Sequence, residues 1–311
     1  MSQVKKYMLL MILICLLAPG AKFQQAGASS NAQPVRFRFE GRLAGRPFAC
    51  GKLYPDVGTG ATTVTPADLR FFVSSFEMVD GQGRASPVSL DQDGVWQYKS
   101  LALIDLEDGT GECRNGNAAT HAEITGSVPQ GRYTGIRFTV GVPFELDHLD
   151  PAEAPSPLNM TAMFWTWQSG YKFIRAEVLA EPSQASNTVP ETAGRESQIP
   201  SGRAHARGFP VHVGSTGCGG TIRTNAPPEE CTHPNRAVVT LQGFDWATDL
   251  VIFDLGRLLA SSDVTANAPN TAPGCMSGEE DPDCQAIMKA LGIVSPGAPA
   301  TSQTVFYGER R

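Results

Sequence analysis

The stretch D-L-R-F-F-V-S-S-F-E-M-V, residues 68–79, is an apolar run interrupted by single polar residues. Such a run is typical of a β-strand with a buried face. Six further alternating or apolar runs, separated by turn residues, occur at 35–41, 95–106, 133–142, 171–178, 237–244 and 248–255. Seven or more short strands punctuated by Gly and Pro predict an all-β fold, a single β-sandwich domain over residues 29–311.

One short helix is predicted near the C-terminus, in D-P-D-C-Q-A-I-M-K-A-L-G-I, residues 281–293. Asp281 or Asp283 is expected to cap this helix, and Gly292 to end it. Two stretches are rich in Pro, Ser, Gly, Thr and Ala, residues 181–207 and 261–274. We expect both to be long surface loops.

The first 28 residues have the pattern of a secretory signal peptide. Lys5 and Lys6 precede an apolar run, Tyr7–Ala18, that is too short for a membrane span. Cleavage at an A-x-A-like site fits best after Ala28, with Ala21 as the alternative. We therefore expect export to the periplasm and no stable insertion in a membrane.

The charge balance of the chain is acidic. The sequence has 25 Lys and Arg against 31 Asp and Glu, a formal net charge of −6, and the signal peptide contains lysines but no acid. Nucleic acids and anionic lipids attract basic surfaces, so an acidic exported protein is a poor candidate for binding either. We expect no nucleic-acid partner.

The cysteines after the signal peptide are Cys50, Cys113, Cys218, Cys231, Cys275 and Cys284. An even number in an exported chain indicates disulfides, and six cysteines allow about fifteen connectivities. Proximity along the chain favours Cys218–Cys231 and Cys275–Cys284, which leaves Cys50–Cys113. The alternative is a thiolate site for Cu(I) or zinc, although an oxidising compartment and the lack of a C-x-x-C pair argue against it.

The segment F-W-T-W-Q-S-G-Y-K-F, residues 164–173, contains two of the four tryptophans as a W-x-W pair. In an extended strand, Met163, Trp165 and Trp167 would point to one face. The simplest interpretation is an aromatic ladder in the core. Two other segments change that interpretation: P-F-E-L-D-H-L-D-P upstream, residues 143–151, and G-F-P-V-H-V-G-S-T-G-C downstream, residues 208–218.

Together these three segments resemble the MbnP family of periplasmic copper-binding proteins, also called metallo-mystery-pair four-Cys-motif proteins. The resemblance extends from about Phe37 to Cys284, and its elements W-x-W, D-H-x-D and H-x-G-S-T-G-C are specific in combination. It implies a role in copper homeostasis and not an enzyme. It also implies a dihaem partner of the MbnH type, similar to MauG and cytochrome c peroxidase, of which this protein is the substrate.

The resemblance implies a chemical change at Trp165. An unmodified indole nitrogen is a hydrogen-bond donor with no lone pair available to a metal. In the family, the first tryptophan of W-x-W is oxidised to kynurenine, whose aniline nitrogen has such a lone pair. This places the modification on Trp165 and leaves Trp167 as a packing residue or an electron-transfer neighbour.

Neutral imidazoles are good copper ligands, and the chain has five histidines. The family motifs select His148, in the upstream segment, and His212, in the downstream segment. Two imidazoles and one aniline nitrogen favour Cu(I) as the bound ion. The other three histidines lie in loop-like sequence and are left unassigned: His121, His205 and His233.

Neighbours of these ligands complete the expected site. Met163 shares the predicted strand face of Trp165, and its thioether is a candidate fourth ligand for Cu(I). Methionine beside aromatic residues is otherwise a common core filler. Asp147 or Asp150 is expected to orient His148 as a hydrogen-bond partner.

Two other functions are weighed against copper binding. An exported carbohydrate-binding or adhesive β-sandwich would use Trp165 and Trp167 as an exposed stacking platform. An exported hydrolase is disfavoured, because the chain has no G-x-S-x-G and no H-E-x-x-H motif. The acidic segments 91–94 and 107–112 are interpreted as solvated turns and not as calcium loops.

Overall fold

The computed structural model of the protein describes residues 31–165, 170–181, 208–219, 227–294 and 301–311. Most of the regular structure in these residues is β-strand, in two large sheets that pack face to face as an all-β sandwich. This arrangement confirms the fold class that the alternating runs predict. The expected signal peptide, residues 1–28, and nearly all of the expected loop 181–207 lie outside the described residues.

The strands are, in chain order, β1 (Ala32–Leu43), β2 (Arg46–Pro47), β3 (Tyr54–Val57), β4 (Thr62–Asp80), β5 (Ala85–Pro87), β6 (Ser89–Leu90), β7 (Gln97–Tyr98), β8 (Leu101–Asp105), β9 (Glu123–Pro129), β10 (Tyr133–Val140), β11 (Phe164–Trp165), β12 (Gly170–Tyr171), β13 (Ile174–Ala180), β14 (Gly208–Val213), β15 (Ala237–Gln242), β16 (Asp249–Asp254) and β17 (Phe306–Arg310). The helices are α1 (Phe144–Asp147), α2 (Leu255–Leu259) and α3 (Pro282–Ala290), with one 3-10 turn at Thr161–Met163.

The first sheet has the strand order β17-β16-β1-β9-β6, with β2 paired to β1, and β1 runs parallel to β16. The second sheet follows the path β14-β13-β4-β10-β15, and the short strands β3, β5 and β8 also pair with β4. Strand β4, 19 residues long, is therefore the centre of the second sheet. A separate two-stranded ribbon consists of β11 and β12.

The main core lies between the two sheets and is rich in phenylalanine. Phe39 of β1 contacts Phe138 of β10 with ring centroids 5.9 Å apart, and Phe71 of β4 stacks on Phe253 of β16 at 4.9 Å. All four rings are buried. Burial of one such ring contributes about 1.5–3 kcal/mol, so these contacts hold the sheets together.

The opposite face of β4 is also buried, because residues 142–165 and 170–173, here called the covering segment, pack over it. Phe72 of β4 belongs to a second apolar cluster that includes Leu146 of α1 and Met163 of the 3-10 turn. The rings of Phe72 and Tyr171 meet edge to face at 5.9 Å. The covering segment therefore places the upstream motif and Trp165 on the outer face of the second sheet.

Helix α3 begins and ends where the sequence predicts. The side chain of Asp281 accepts a hydrogen bond from the backbone N–H of Asp283, and Pro282 occupies the first turn. Gly292 follows the C-cap residue with a positive φ of 70°, a conformation that favours glycine. The structure describes residues 261–274 in full and has no helix or strand there, as expected for a loop.

Three disulfides join Cys50 to Cys113, Cys218 to Cys231 and Cys275 to Cys284. These are the pairs that proximity along the chain favours. Disulfides persist in oxidising compartments, so the protein is of the exported type. Among the residues described, no helix has the length and apolar character needed to cross a membrane.

Candidate metal centre

His212 lies in β14, where side chains alternate between the main core and the outer face of the second sheet. Phe209, Val211 and Val213 belong to the main core, so His212 faces outward on the side of the covering segment. Its cross-strand partner in β13 is Arg175. His212 is 9% exposed, so it is a buried histidine on the edge strand of the second sheet.

A carboxylate from β13 holds the imidazole of His212. The Nε2 atom of His212 lies 2.8 Å from Oε1 of Glu177, and Nε of Arg175 lies 2.9 Å from the same oxygen. Burial raises the pKa of Glu177, but the hydrogen bond from His212 and the charge of Arg175 outweigh burial and lower that pKa to about 2. Glu177 is therefore an ionised acceptor.

The same contact determines the protonation pattern of His212. Burial lowers the pKa of His212, and the neighbouring Glu177 only partly opposes this effect. The lowered pKa favours the neutral ring. A carboxylate only accepts hydrogen bonds, so Nε2 of the neutral ring carries the hydrogen and Nδ1 keeps its lone pair. Nδ1 is the nitrogen of His212 that can bind a metal.

Trp165 ends β11, where it lies opposite Gly170 of β12. The residue is 5% exposed, and its ring centroid lies 6.2 Å from that of His212. Gly214, just beyond β14, permits this approach. A Cβ atom at Gly214 would lie 2.8 Å from Cζ3 of Trp165 and 2.6 Å from the carbonyl oxygen of Tyr171.

His148 directly follows α1 and reaches the same ribbon. A Cβ atom at Gly170 would lie 3.4 Å from Cε1 and 3.5 Å from Nδ1 of His148, so this edge of the imidazole rests on the residue opposite Trp165. Nε2 of His148 lies 3.6 Å from Oδ2 of Asp147 and 3.7 Å from Sγ of Cys231. The side chain of His148 is 2% exposed.

Asp147 is the acid beside His148, and Asp150 has a different role. Oδ1 of Asp147 accepts a hydrogen bond from the backbone N–H of Tyr171 at 2.9 Å, which ties α1 to β12. Burial raises the pKa of Asp147, and this hydrogen bond and His148 oppose the rise. Asp150 instead accepts from the backbone N–H of Ala152 at 2.9 Å, within its own turn.

Met163 does not belong to the strand predicted through the W-x-W pair. It ends the 3-10 turn, with its N–H bonded to the carbonyl oxygen of Met160 at 3.0 Å, and the described part of β11 is Phe164–Trp165. The shared strand face that linked Met163 to Trp165 is therefore wrong. Met163 is buried in the second apolar cluster, and its role as a fourth ligand stays a prediction. Trp167 lies outside the described residues.

The unassigned histidines lie in other surroundings. His121 stacks on Trp96 with ring centroids 5.1 Å apart. Nε2 of His233 lies 2.9 Å from Oε2 of Glu279. His205 lies outside the described residues. The structure thus brings together the three residues that the motifs select and pairs His121 and His233 with other side chains.

A buried network of charged groups lies beside the site, and the sequence analysis did not identify it. Nε of Arg175 lies 3.0 Å from Oδ2 of Asp68, whose Oδ1 accepts a hydrogen bond from Nε of Arg70 at 2.9 Å. Arg175 and Lys172 both donate to the carbonyl oxygen of Ala162, at 3.1 and 2.8 Å. The sequence does contain a signal for this network. Asp68 and Arg70 in β4, like Arg175 and Glu177 in β13, are charged residues at i and i+2 in otherwise largely apolar strands.

Fold and site together define an exported, disulfide-bonded β-sandwich with a buried Trp–His cluster at the outer face of one sheet. The MbnP family model matches residues 32–277, and the chain belongs to this family. A solved structure, MbnP from Methylosinus trichosporium, is 32% identical in sequence and has a TM-score of 0.72. The similarity covers 90% of this chain and 99% of that chain. No curated protein matches the chain. The family resemblance expected from the three motifs is confirmed.

Proposed function

We propose that this protein is a periplasmic copper-binding protein for copper homeostasis, which holds Cu(I) through His148, His212 and a kynurenine formed from Trp165. One observation carries the proposal: Trp165 lies 6.2 Å from His212, ring to ring, and directly opposite the Gly170 on which His148 rests. Trp165 thus lies near His212 and across the β11–β12 ribbon from the residue that His148 contacts, which supports a site shared by the three residues.

The imidazole donors fit a copper ion. Nδ1 of His212 keeps a lone pair because Nε2 is engaged by Glu177, and Nδ1 of His148 lies at the edge that rests on Gly170. Neutral imidazole nitrogen is a ligand type that copper accepts well. Copper is the cargo of such a protein, and the residues hold it without a catalytic step. The thioether of Met163 or a water molecule would complete the coordination.

The third donor requires covalent modification, because the indole of Trp165 has no lone pair for a metal. Conversion of tryptophan to kynurenine is a net loss of one carbon atom and gain of one oxygen atom, about +4 Da. The indole ring opens, the lost carbon leaves as formate, and hydrogen peroxide is reduced to water. In this proposal a MauG-like dihaem protein of the MbnH type catalyses that oxidation. The protein is accordingly a substrate of that enzyme and not itself an enzyme.

The alternative of a carbohydrate-binding or adhesive module has less support. A stacking platform needs an exposed aromatic face, and Trp165 as a whole residue is only 5% exposed. A buried indole between two histidine-bearing elements suits a metal centre better than a sugar-binding surface.

The copper affinity of single variants tests the proposal. In protein produced together with the dihaem partner, His148→Ala and His212→Ala should each weaken Cu(I) binding severely in competition with a chelator, and Trp165→Phe should abolish high-affinity binding while the fold survives. Trp96→Phe and His121→Ala are matched controls, since these residues form a stacked Trp–His pair elsewhere. Parent-like copper affinity in Trp165→Phe would contradict the kynurenine ligand.

A further inference from the structure

We infer that Cys218, Cys231 and His148 form a second metal site, which becomes available to a soft metal ion when the Cys218–Cys231 disulfide is reduced. The potential ligand atoms of these three residues lie within 4.8 Å of one another. Nε2 of His148 is 3.7 Å from Sγ of Cys231. In the oxidised protein the two sulfurs are bonded to each other, so neither is a thiolate.

The geometry suits a single ion after a small rearrangement. Zinc binds sulfur at about 2.3 Å and imidazole nitrogen at about 2.0–2.1 Å, so donors around one tetrahedral ion lie roughly 3–4 Å apart. The contact between His148 and Cys231 already has this spacing. The two bonded sulfurs must move apart, and reduction of their bond allows that. Two thiolates and one imidazole are a donor set for Cu(I) or Zn²⁺.

This disulfide is the one that a reductant reaches first. Cys218 is partly exposed, whereas the other five half-cystines are buried. Access to sulfur is one of the factors that set the rate of thiol–disulfide exchange. A dithiol reductant would attack one sulfur, form a mixed disulfide, and leave as its own cyclic disulfide. The protein gains two electrons and two protons, and a bound metal ion then displaces the thiol protons.

His148 stands between the two sites. Its Cε1–Nδ1 edge rests on Gly170, on the side of Trp165, while its Nε2 is near the disulfide. Reduction would thus place a sulfur-rich site beside the proposed copper site, with one imidazole common to both. The inference does not rest on the proposed function, because all three donors are encoded residues that need no kynurenine.

The test uses the mature full-length protein carrying Trp165→Phe and His212→Ala, which removes the proposed copper site. The protein is reduced with a phosphine, which adds no metal-binding thiol, and is titrated anaerobically with Co(II) as the probe. We expect thiolate-to-Co(II) charge-transfer absorption in the reduced protein and none in the oxidised protein. A further His148→Ala substitution should weaken Co(II) binding by at least about tenfold. Removing a residue that only hydrogen-bonds to a metal ligand already lowers metal affinity about 10–100-fold, and His148 is itself a proposed ligand.

Two controls keep the result decisive. Alkylation and mass analysis identify the disulfide that has opened, and circular dichroism reports whether the reduced protein is folded. Folded protein with free Cys218 and Cys231 thiols but no charge-transfer absorption would overturn the inference. Absorption of equal strength and affinity in the His148→Ala protein would also overturn it. Opening of Cys50–Cys113 or Cys275–Cys284 before Cys218–Cys231 would contradict the argument from access.

Discussion

The Nε2 atom of His212 lies 2.8 Å from Oε1 of Glu177, and this hydrogen bond decides which nitrogen the imidazole offers beside Trp165. Arg175 holds the same carboxylate oxygen at 2.9 Å and also donates to the carbonyl oxygen of Ala162, before Trp165. One ion-pair network therefore positions the β14 histidine and the tryptophan of the covering segment relative to each other. The proposed metal centre is therefore organised by side chains of β13, which hold His212 and the backbone before Trp165.

Glu177→Ala should lower the copper affinity of the modified protein by about 10–100-fold, because an orienting partner of a metal-bound histidine has that effect. Glu177→Gln should retain more of the affinity, since its side-chain oxygen can still accept from Nε2. Competition with a Cu(I) chelator measures both. Glu77→Ala is the control: it removes a different half-buried ion pair, in which Oε2 of Glu77 lies 2.6 Å from Nε of Arg137, and it should leave the copper affinity unchanged. Equal copper affinities in Glu177→Ala and the parent would show that Glu177 does not position His212.

Gly214→Ala should displace the indole of Trp165. Its new Cβ would lie 2.6 Å from a backbone oxygen that cannot rotate away, and 2.8 Å from Cζ3 of the indole. Overpacking of this kind costs about 1–3 kcal/mol of the free energy of unfolding. Denaturant unfolding measures that cost, and Gly219→Ala is the matched control because its Cβ would meet nothing within 4 Å. If both variants are as stable as the parent, the close packing described here is wrong.

Asp68→Ala should destabilise the protein strongly. Its carboxylate contacts the guanidinium groups of Arg70 and Arg175, and the side chains of Asp68 and Arg70 are each 1% exposed. Without Asp68, Arg175 keeps its contact with Glu177, but in the described part of the chain the buried Arg70 keeps only a carboxylate of Glu107, at 3.6 Å, as an ion-pair partner. Breaking a buried ion pair by removing one partner costs about 3–5 kcal/mol. Urea unfolding compares this variant with Glu123→Ala, whose exposed pair with Arg36 should contribute only about 0–1 kcal/mol. Similar losses in the two variants would contradict this reading of the network.

The stability of the protein should depend on pH through Asp105. Burial raises the pKa of this carboxyl from 3.8 to about 7, with the charge of Arg70 opposing the rise. Between those two values the folded protein keeps a proton that the unfolded chain releases. The contribution of Asp105 to the free energy of unfolding therefore falls as pH rises through this range and is constant above it.

Asp105→Asn removes that titration. Relative to the parent, the variant should gain stability as pH rises from about 4 to about 7, which urea unfolding at several pH values measures. The two proteins should then differ by a constant amount at higher pH. Parallel pH profiles across the whole range would show that Asp105 is ionised in the folded protein at acidic pH.

The sequence predicts local features of the fold well, because their causes lie close together in the chain. Alternating apolar residues predict the strands of the sandwich, and the cap at Asp281 and the turn at Gly292 predict both ends of α3. The 3-10 turn at Thr161–Met163 was not predicted. It depends on the packing of the covering segment over β4, and an apolar strand pattern does not reveal such packing.

The candidate site was only partly predictable for the same reason. The motifs select His148, Trp165 and His212, and the structure brings these residues together, although metal binding by them stays a proposal. The contact between Glu177 and His212 could not be predicted, because 35 residues separate them and the register of β13 against β14 is a property of the folded sheet. Charged pairs within apolar strands were the available hint.

The most direct test of the proposed copper site is a peptide mass map of the protein purified after production with a dihaem protein of the MbnH type, the proposed partner, together with copper analysis of the same sample. We expect a shift of about +4 Da on the peptide containing Trp165, as for kynurenine, and stoichiometric bound copper. Protein that binds copper stoichiometrically with high affinity while Trp165 remains unmodified would contradict the kynurenine ligand.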